Sequence, residues 1–228
     1  MKYSDLFEDF YKLMRQFPNA DRLLHKLNKD NELFLFGGCV RSYLKNNFNK
    51  MPRDFDIVLK KNKVNDIENI FKDYQYTKNR FGGFKIKVDN LDFDIWEIEN
   101  TWAFKEKKVQ LSEKNLCETV YLNIDAIVYD LNKKKYYQKV FKDAMHSKCL
   151  DIVLADNPYI TLNLLRTIIY KREYEMSLSN KLKNQFVAFA NKYDDFSKLL
   201  YDVQIDHYKE EKISINEINK EISNIVYA

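Results

Sequence analysis

The chain has 228 residues, 45% of them hydrophobic, with 16 Tyr and 16 Phe, a composition that supports a packed core and excludes a disordered chain. Its 38 Lys and Arg against 34 Asp and Glu leave a formal charge of +4, which permits nucleic acid as a partner without demanding it. The three cysteines, Cys39, Cys117 and Cys149, are far apart and form no CxxC, and His25, His146 and His207 have no metal-ligand spacing, so disulfides and zinc are not expected and a reducing cytoplasm is the natural location.

In chain order, residues 4–17 place Leu6, Phe7, Phe10, Leu13, Met14 and Phe17 on one helical stripe, with Ser4 as the expected N-cap and Pro18 as the stop. This charged N-terminus lacks a signal-like apolar core, and no apolar run reaches membrane-spanning length, so no membrane partner is expected. A second short helix follows from about Ala20 to Leu27. Glu32–Phe36 reads as a strand too apolar to alternate, hence central in its sheet. Gly37 and Gly38 then open a helix whose start can bring backbone amides to an anion, and Arg41, one turn in, can offer its donor fork to a phosphate. The next strand carries Asp54 and Asp56, which alternation puts on one face, with Phe55 and Ile57 turned to the core. Like charges so placed call for a positive partner, and a divalent cation fits them.

Residues 64–74 carry Ile67, Ile70 and Phe71 at helical spacing, and from Arg80 to Ile98 the pattern is a hairpin turned at Asp89-Asn90, with Phe84, Ile86 and Val88 alternating against Lys85 and Lys87. The return strand offers Asp92 and Asp94 on one face. All 4 glycines of the chain fall in two pairs, which marks Gly82 and Gly83, like Gly37 and Gly38, as places where backbone bends or a ligand comes close. Residues 99–115 are polar and irregular; Trp102 among them is a base-stacking candidate as well as an ordinary packing residue. Residues 123–131 read as a strand. Asp156-Asn157-Pro158 starts a helical run expected at 159–174, 181–191, 196–201 and 215–226.

GGxVR in strand–turn–helix order followed by a strand with DxD, here Gly37, Gly38, Val40, Arg41, Asp54 and Asp56, resembles the head domain of polymerase-beta-type nucleotidyltransferases, most closely the bacterial poly(A) polymerase and CCA-adding branch. The resemblance covers about residues 30–175. It implies an α+β fold, a mixed sheet flanked by helices, with residues 1–155 as a nucleotidyltransferase head and 156–228 as a small helical neck-like domain. It implies a third carboxylate, Asp94, with Asp92 one pleat away as the fallback, and two Mg2+ ions held by Asp54, Asp56 and Asp94. A nucleoside triphosphate would be the substrate, attacked at its alpha-phosphate while Gly37, Gly38 and Arg41 hold the departing pyrophosphate. Ser42, Gly82, Gly83 and Arg166 complete the nucleotide-binding set, Ser42 standing where the family has aspartate and Arg166 matching the neck motif DPxRxLRxxRF. Thr119, Val120 and Tyr121 stand where the family has Arg-Arg-Asp, which weakens the expected grip on sugar and phosphates. The acceptor implied is an RNA 3'-end, with a protein or small-molecule hydroxyl as the alternative, and a non-catalytic nucleotide-binding module as the third reading.

Overall fold

The computed structural model describes residues 5–63 and 66–227. By contacts they divide into two compact units, one of residues 1–119 and 125–139, the other of 120–124 and 140–228.

The first unit is built on a seven-stranded sheet of order β3-β4-β5-β2-β1-β6-β7. Its strands are β1 (Asn31–Phe36), β2 (Phe55–Lys61), β3 (Tyr76–Lys78), β4 (Phe84–Val88), β5 (Leu91–Glu97), β6 (Val128–Asp130) and β7 (Lys135–Tyr137). Only β2 and β5 run parallel; every other pair is antiparallel. The expected α+β class with a mixed sheet is therefore observed, and β1 is central, with β2 and β6 on its two sides.

One face of this sheet forms the core. Leu33, Leu35, Phe55, Ile57, Leu59, Phe93, Ile95, Phe84 and Ile86 are buried together with the apolar stripes of α1 (Leu6–Met14) and α2 (Pro18–Asn28). Phe10 of α1 lies 5.9 Å from the Phe55 ring, and Phe55 stacks on Phe93 at 5.4 Å. Burying each such ring contributes roughly 1.5–3 kcal/mol. Ser4, the expected cap of α1, lies outside the described residues; the cap observed is Asp5, whose carboxylate accepts from Phe7 N at 3.0 Å. Pro18 closes α1 and opens α2, where its missing N–H costs nothing.

Two elements differ from expectation here. The helix expected at 64–74 is confined to α4 (Glu68–Phe71), with Val64 outside the described residues. Phe71 meets Phe84 and Tyr76 at 4.9 and 6.0 Å, so the chain turns at once into β3, an exposed edge strand that sequence pattern did not reveal. The strand expected at 123–131 is a 3-10 turn (Asn123–Asp125) followed by the shorter β6, because Ile127 O accepts from Gly37 N at 2.8 Å rather than from a neighbouring strand. The Asp89-Asn90 hairpin forms as expected, both residues at positive φ (51° and 64°), as a two-residue turn requires.

The second unit holds α6 (Lys139–Ser147), which the sequence reading missed, then α7 (Ile160–Glu173), α8 (Asn180–Lys192), α9 (Phe196–Tyr208) and α10 (Ile215–Val226). By contacts residues 140–155 group with this unit. Asn123 N donates to Asp151 O at 3.0 Å and Val153 N to Tyr121 O at 2.8 Å, and β8 (Cys149–Leu150) pairs in parallel with β9 (Ser177–Leu178). Lys171–Glu221 and Arg172–Glu217, at 2.5 and 2.6 Å, tie α7 to α10. Among the described residues no helix is long and apolar enough to cross a membrane.

Candidate active site

The site begins where β1 ends. Gly37 has φ +58° and ψ −115°, a conformation that disfavours any side chain, and it opens α3 (Gly38–Asn46). Gly38 is different: its φ is ordinary, and a Cβ built on it would meet no protein atom within 4 Å. Nothing in the protein demands glycine there, so what its missing side chain provides is open space against the first turn of α3, where N–H groups have no helical partner. Ser42 is half-buried on the same helix.

Arg41 is buried and ion-paired with Asp125, each side chain 10% exposed. A buried guanidinium needs a counter-charge, and the 3-10 turn that replaced the expected strand brings Asp125 to it. Asp125 O also lies 3.8 Å from where a Gly37 Cβ would be. The pair thus fixes the glycine turn against residues 125–127.

The acidic residues come next along the sheet. Asp56 of β2 and Asp94 of β5 are direct partners in the parallel ladder, one position beyond the Phe55–Phe93 pair. Asp54 directly precedes β2, two residues before Asp56. All three are half-buried, whereas Asp92 is exposed. Burial raises the Asp94 carboxyl above its usual range; Lys85 pulls it back and the charge of Asp54 pushes it up again. Cys39, on α3, is buried with its Sγ 3.4 Å from Phe36 O and 4.0 Å from Asp56 O, which sets the helix start beside the aspartate strand. Its thiol is pushed well up by burial and then by the nearby charge of Asp56.

Cations attend Asp54 and Asp94. Arg53 donates to Asp54 Oδ2 from Nε at 3.0 Å and from a terminal nitrogen at 2.6 Å. Lys85 of β4, the antiparallel partner of Asp94, holds its Nζ 3.3 Å from Asp94 Oδ2. Among the described residues no three His, Cys, Asp or Glu side chains are gathered as a ready-made cation cage. The backbone sets Asp56 and Asp94 side by side, with Asp54 just before β2; the side chains of Asp54 and Asp94 are turned to Arg53 and Lys85.

The other expected nucleotide contacts fare differently. Gly82 has φ +95°, and a Cβ on Gly83 would come within 2.8 Å of Asn79 Nδ2 and 3.3 Å of Trp96 Cβ. Asn79 Oδ1 accepts from Phe81 N and Gly83 N at 2.9 and 3.0 Å. The β3–β4 turn alone accounts for both glycines, and ligand approach is not needed to explain them. Arg166 lies on α7 in the second unit, its Nε donating to Tyr170 Oη at 3.1 Å. Trp102 is half-buried at the start of α5 (Trp102–Lys105). Sequence reasoning passed over Trp96, which alternation puts on the face of Asp94; its ring meets Phe36 edge-on at 5.9 Å and its Nε1 donates to Thr101 Oγ1 at 3.0 Å.

No protein-family model matches the chain, and no curated protein does. Solved structures do. The Thermotoga maritima CCA-adding enzyme complexed with tRNA superposes with a TM-score of 0.62 at 15% identity, over 94% of this chain and 51% of that one. A CCA-adding enzyme in complex with ATP gives 0.61 at 16%, over 94% and 51%, and a tRNA-processing enzyme with CTP gives 0.60 at 16%, over 86% and 53%. The chain spans about half the length of these proteins. At this identity the likeness speaks for architecture alone, and it establishes that this chain shares the fold of these CCA-adding and tRNA-processing enzymes.

Proposed function

We propose that this protein is a metal-dependent nucleotidyltransferase that moves a nucleoside monophosphate from a triphosphate to an acceptor hydroxyl, with an RNA 3'-end as the acceptor. The observation that carries the reading is the pairing of Asp56 with Asp94 across β2 and β5, with Asp54 beside them and the Gly37-Gly38 turn adjacent. The structural neighbours named above include proteins complexed with ATP, CTP and tRNA, which favours a nucleotide and RNA over other partners. Its three free cysteines suit the reducing cytoplasm expected for it.

The carboxylates supply the hard oxygen donors that the Mg2+ of such chemistry takes. Asp56 and Asp94 in register, with Asp54 two residues before Asp56, concentrate negative charge. Asp54, Asp56 and Asp94 would hold it. When bound, the metal activates the attacking hydroxyl and neutralises charge on the triphosphate.

The chain's own residues do the positioning. Gly38 leaves the first turn of α3 open, so amides there can meet phosphate oxygens at a helix end that favours anions. Arg41 and Asp125 keep that turn in register with residues 125–127. Arg53 holds Asp54 in place. In the reaction the acceptor oxygen forms a bond to the alpha-phosphorus, the bond to the pyrophosphate oxygen breaks, and the hydroxyl proton leaves with the base that takes it. Such a transfer asks for orientation and charge stabilisation more than acid–base groups, in keeping with a chain that has 3 histidines.

The test is incubation of the purified chain with Mg2+ and each of the four alpha-labelled triphosphates in the presence of total cellular RNA and protein. Label at RNA 3'-ends supports the reading. Label on protein or on a small molecule would keep the chemistry and replace the acceptor; binding of triphosphate without any transfer would reduce the chain to a nucleotide-binding module.

A further inference from the structure

We propose that the cleft between α2 and the β4–β5 turn seats the backbone of a single-stranded RNA acceptor, with Arg22 and Lys87 taking its phosphates and the Tyr74 ring taking a base. The inference deepens the RNA-acceptor reading and rests on it.

The cleft has a volume of about 470 Å³, room for a nucleotide-sized ligand. Arg22 and Lys26 of α2 line it together with Asp73 and Tyr74 of the turn before β3, and with Lys87 and Asp89 at the end of β4. Its two carboxylates are already committed. Asp89 accepts from the backbone N–H groups of Asn19 and Ala20 at 2.8 and 3.1 Å and from Asn19 Nδ2 at 2.8 Å, so it caps the start of α2, where an anion is favoured. Asp73 is paired with Lys26 at 3.0 Å.

Arg22 and Lys87 are left over. Both are exposed, and among the described residues neither side chain has an ion pair or a hydrogen bond. Asp92 stands opposite Lys87 across the hairpin, but it too is exposed, and solvated charges of this kind hold one another weakly. Two uncompensated cations brought to one cleft by separate elements suit a ligand with more than one negative charge. Tyr74 adds an aromatic surface, half-buried, with Lys26 Nζ 5.7 Å from its ring centroid. A cationic cleft with an aromatic ring in it suits single-stranded nucleic acid, whose phosphates meet the cations while a base stacks on the ring. Position favours an acceptor strand over a free nucleotide. Lys87 and Asp92 lie one pleat repeat, roughly 6.6 Å, from Lys85 and Asp94 along the same hairpin, so a strand whose 3'-end lies at Asp94 has its preceding phosphates within reach of the cleft.

The test is fluorescence anisotropy of a labelled single-stranded RNA oligonucleotide with the full chain over a series of KCl concentrations. Arg22→Gln with Lys87→Gln should bind about tenfold more weakly at low salt, and the slope of log affinity against log salt should fall by about 1.4, two phosphate contacts at about 0.7 each. Arg22→Lys with Lys87→Arg keeps both charges and should keep the slope. Tyr74→Leu should lose about fivefold or more with the slope unchanged, as loss of stacking does. Lys12→Gln with Lys29→Gln, which removes two exposed cations that do not line the cleft, should change affinity by less than about twofold. An unchanged affinity and slope in the Arg22 and Lys87 double variant, or an equal loss in the Lys12 and Lys29 variant, would overturn the inference and leave the nucleotidyltransferase reading standing. Failure of the natural protein to bind the RNA at low salt would also overturn it, and if label then fails to reach RNA 3'-ends as well, the RNA acceptor falls with it.

Discussion

Asp56 and Asp94 face one another across the parallel ladder of β2 and β5, two half-buried carboxylates in direct register. Directly opposed like charges weaken a sheet. Lys85, 3.3 Å from Asp94, offsets part of that cost.

Asp56→Asn removes the opposition without changing shape. In metal-free buffer its Tm should equal or exceed that of the natural protein, by up to about 4 °C for a gain of about 1 kcal/mol, while transfer falls at least about a hundredfold. Calorimetry and a transfer assay read the two effects separately. A fall of many degrees would assign Asp56 a structural role instead.

Arg41 and Asp125 make the opposite case. Each side chain is 10% exposed and ion-paired with the other, so Arg41→Met leaves a buried carboxylate behind. The expected cost is about 3–5 kcal/mol by chemical denaturation. Replacing both, Arg41→Met with Asp125→Leu, should restore most of it, because no lone charge remains. A phosphate-binding Arg41 would behave otherwise, losing nucleotide affinity with stability intact.

The glycines divide the same way. Gly38→Ala meets no atom within 4 Å and should leave stability equal or higher, by up to about 1 kcal/mol, yet weaken triphosphate binding if phosphates lie against the turn. Gly83→Ala drives a Cβ to 2.8 Å from Asn79 Nδ2 and should destabilise the β3–β4 turn. Parallel denaturation and nucleotide-binding titrations of the two variants make the comparison.

How much of this the sequence disclosed follows from how local each feature is. The strand–turn–helix–strand order needs only alternation and two glycines, and it was readable. Lys85 beside Asp94 was readable too, though it was passed over: a two-residue turn at Asp89-Asn90 fixes the register that pairs them. Asp125 was not, because its meeting with Arg41 spans 84 residues and depends on a 3-10 turn standing where alternation suggested strand. Of the two readings offered for Gly82 and Gly83, the backbone bend is the one the structure displays. The side chain that crowds Gly83, Asn79, reveals itself only once the β3 edge strand is formed.

In the second unit, Glu217 offers a test of pH dependence. Its carboxyl is held down at about 2, chiefly by the Arg172 guanidinium and then by Ser214, whose hydroxyl and backbone N–H close a capping box at the start of α10. A depressed pKa means the contribution is complete above the ordinary value of 4.5 and is lost as pH falls from there toward 2. The stability gap between the natural protein and Glu217→Gln, measured by urea unfolding, should therefore be larger at pH 6 than at pH 3. A gap that does not narrow on acidification would show that the bonds to Arg172 and Ser214 add nothing specific to the charged form.

The most direct measurement is of which phosphorus moves. With Mg2+ and an RNA acceptor, triphosphate labelled at the alpha position should transfer its label to RNA with stoichiometric release of pyrophosphate, triphosphate labelled at the gamma position should transfer none, and Asp56→Asn should do neither. Transfer of the gamma label, or alpha transfer that survives in Asp56→Asn, would contradict the account.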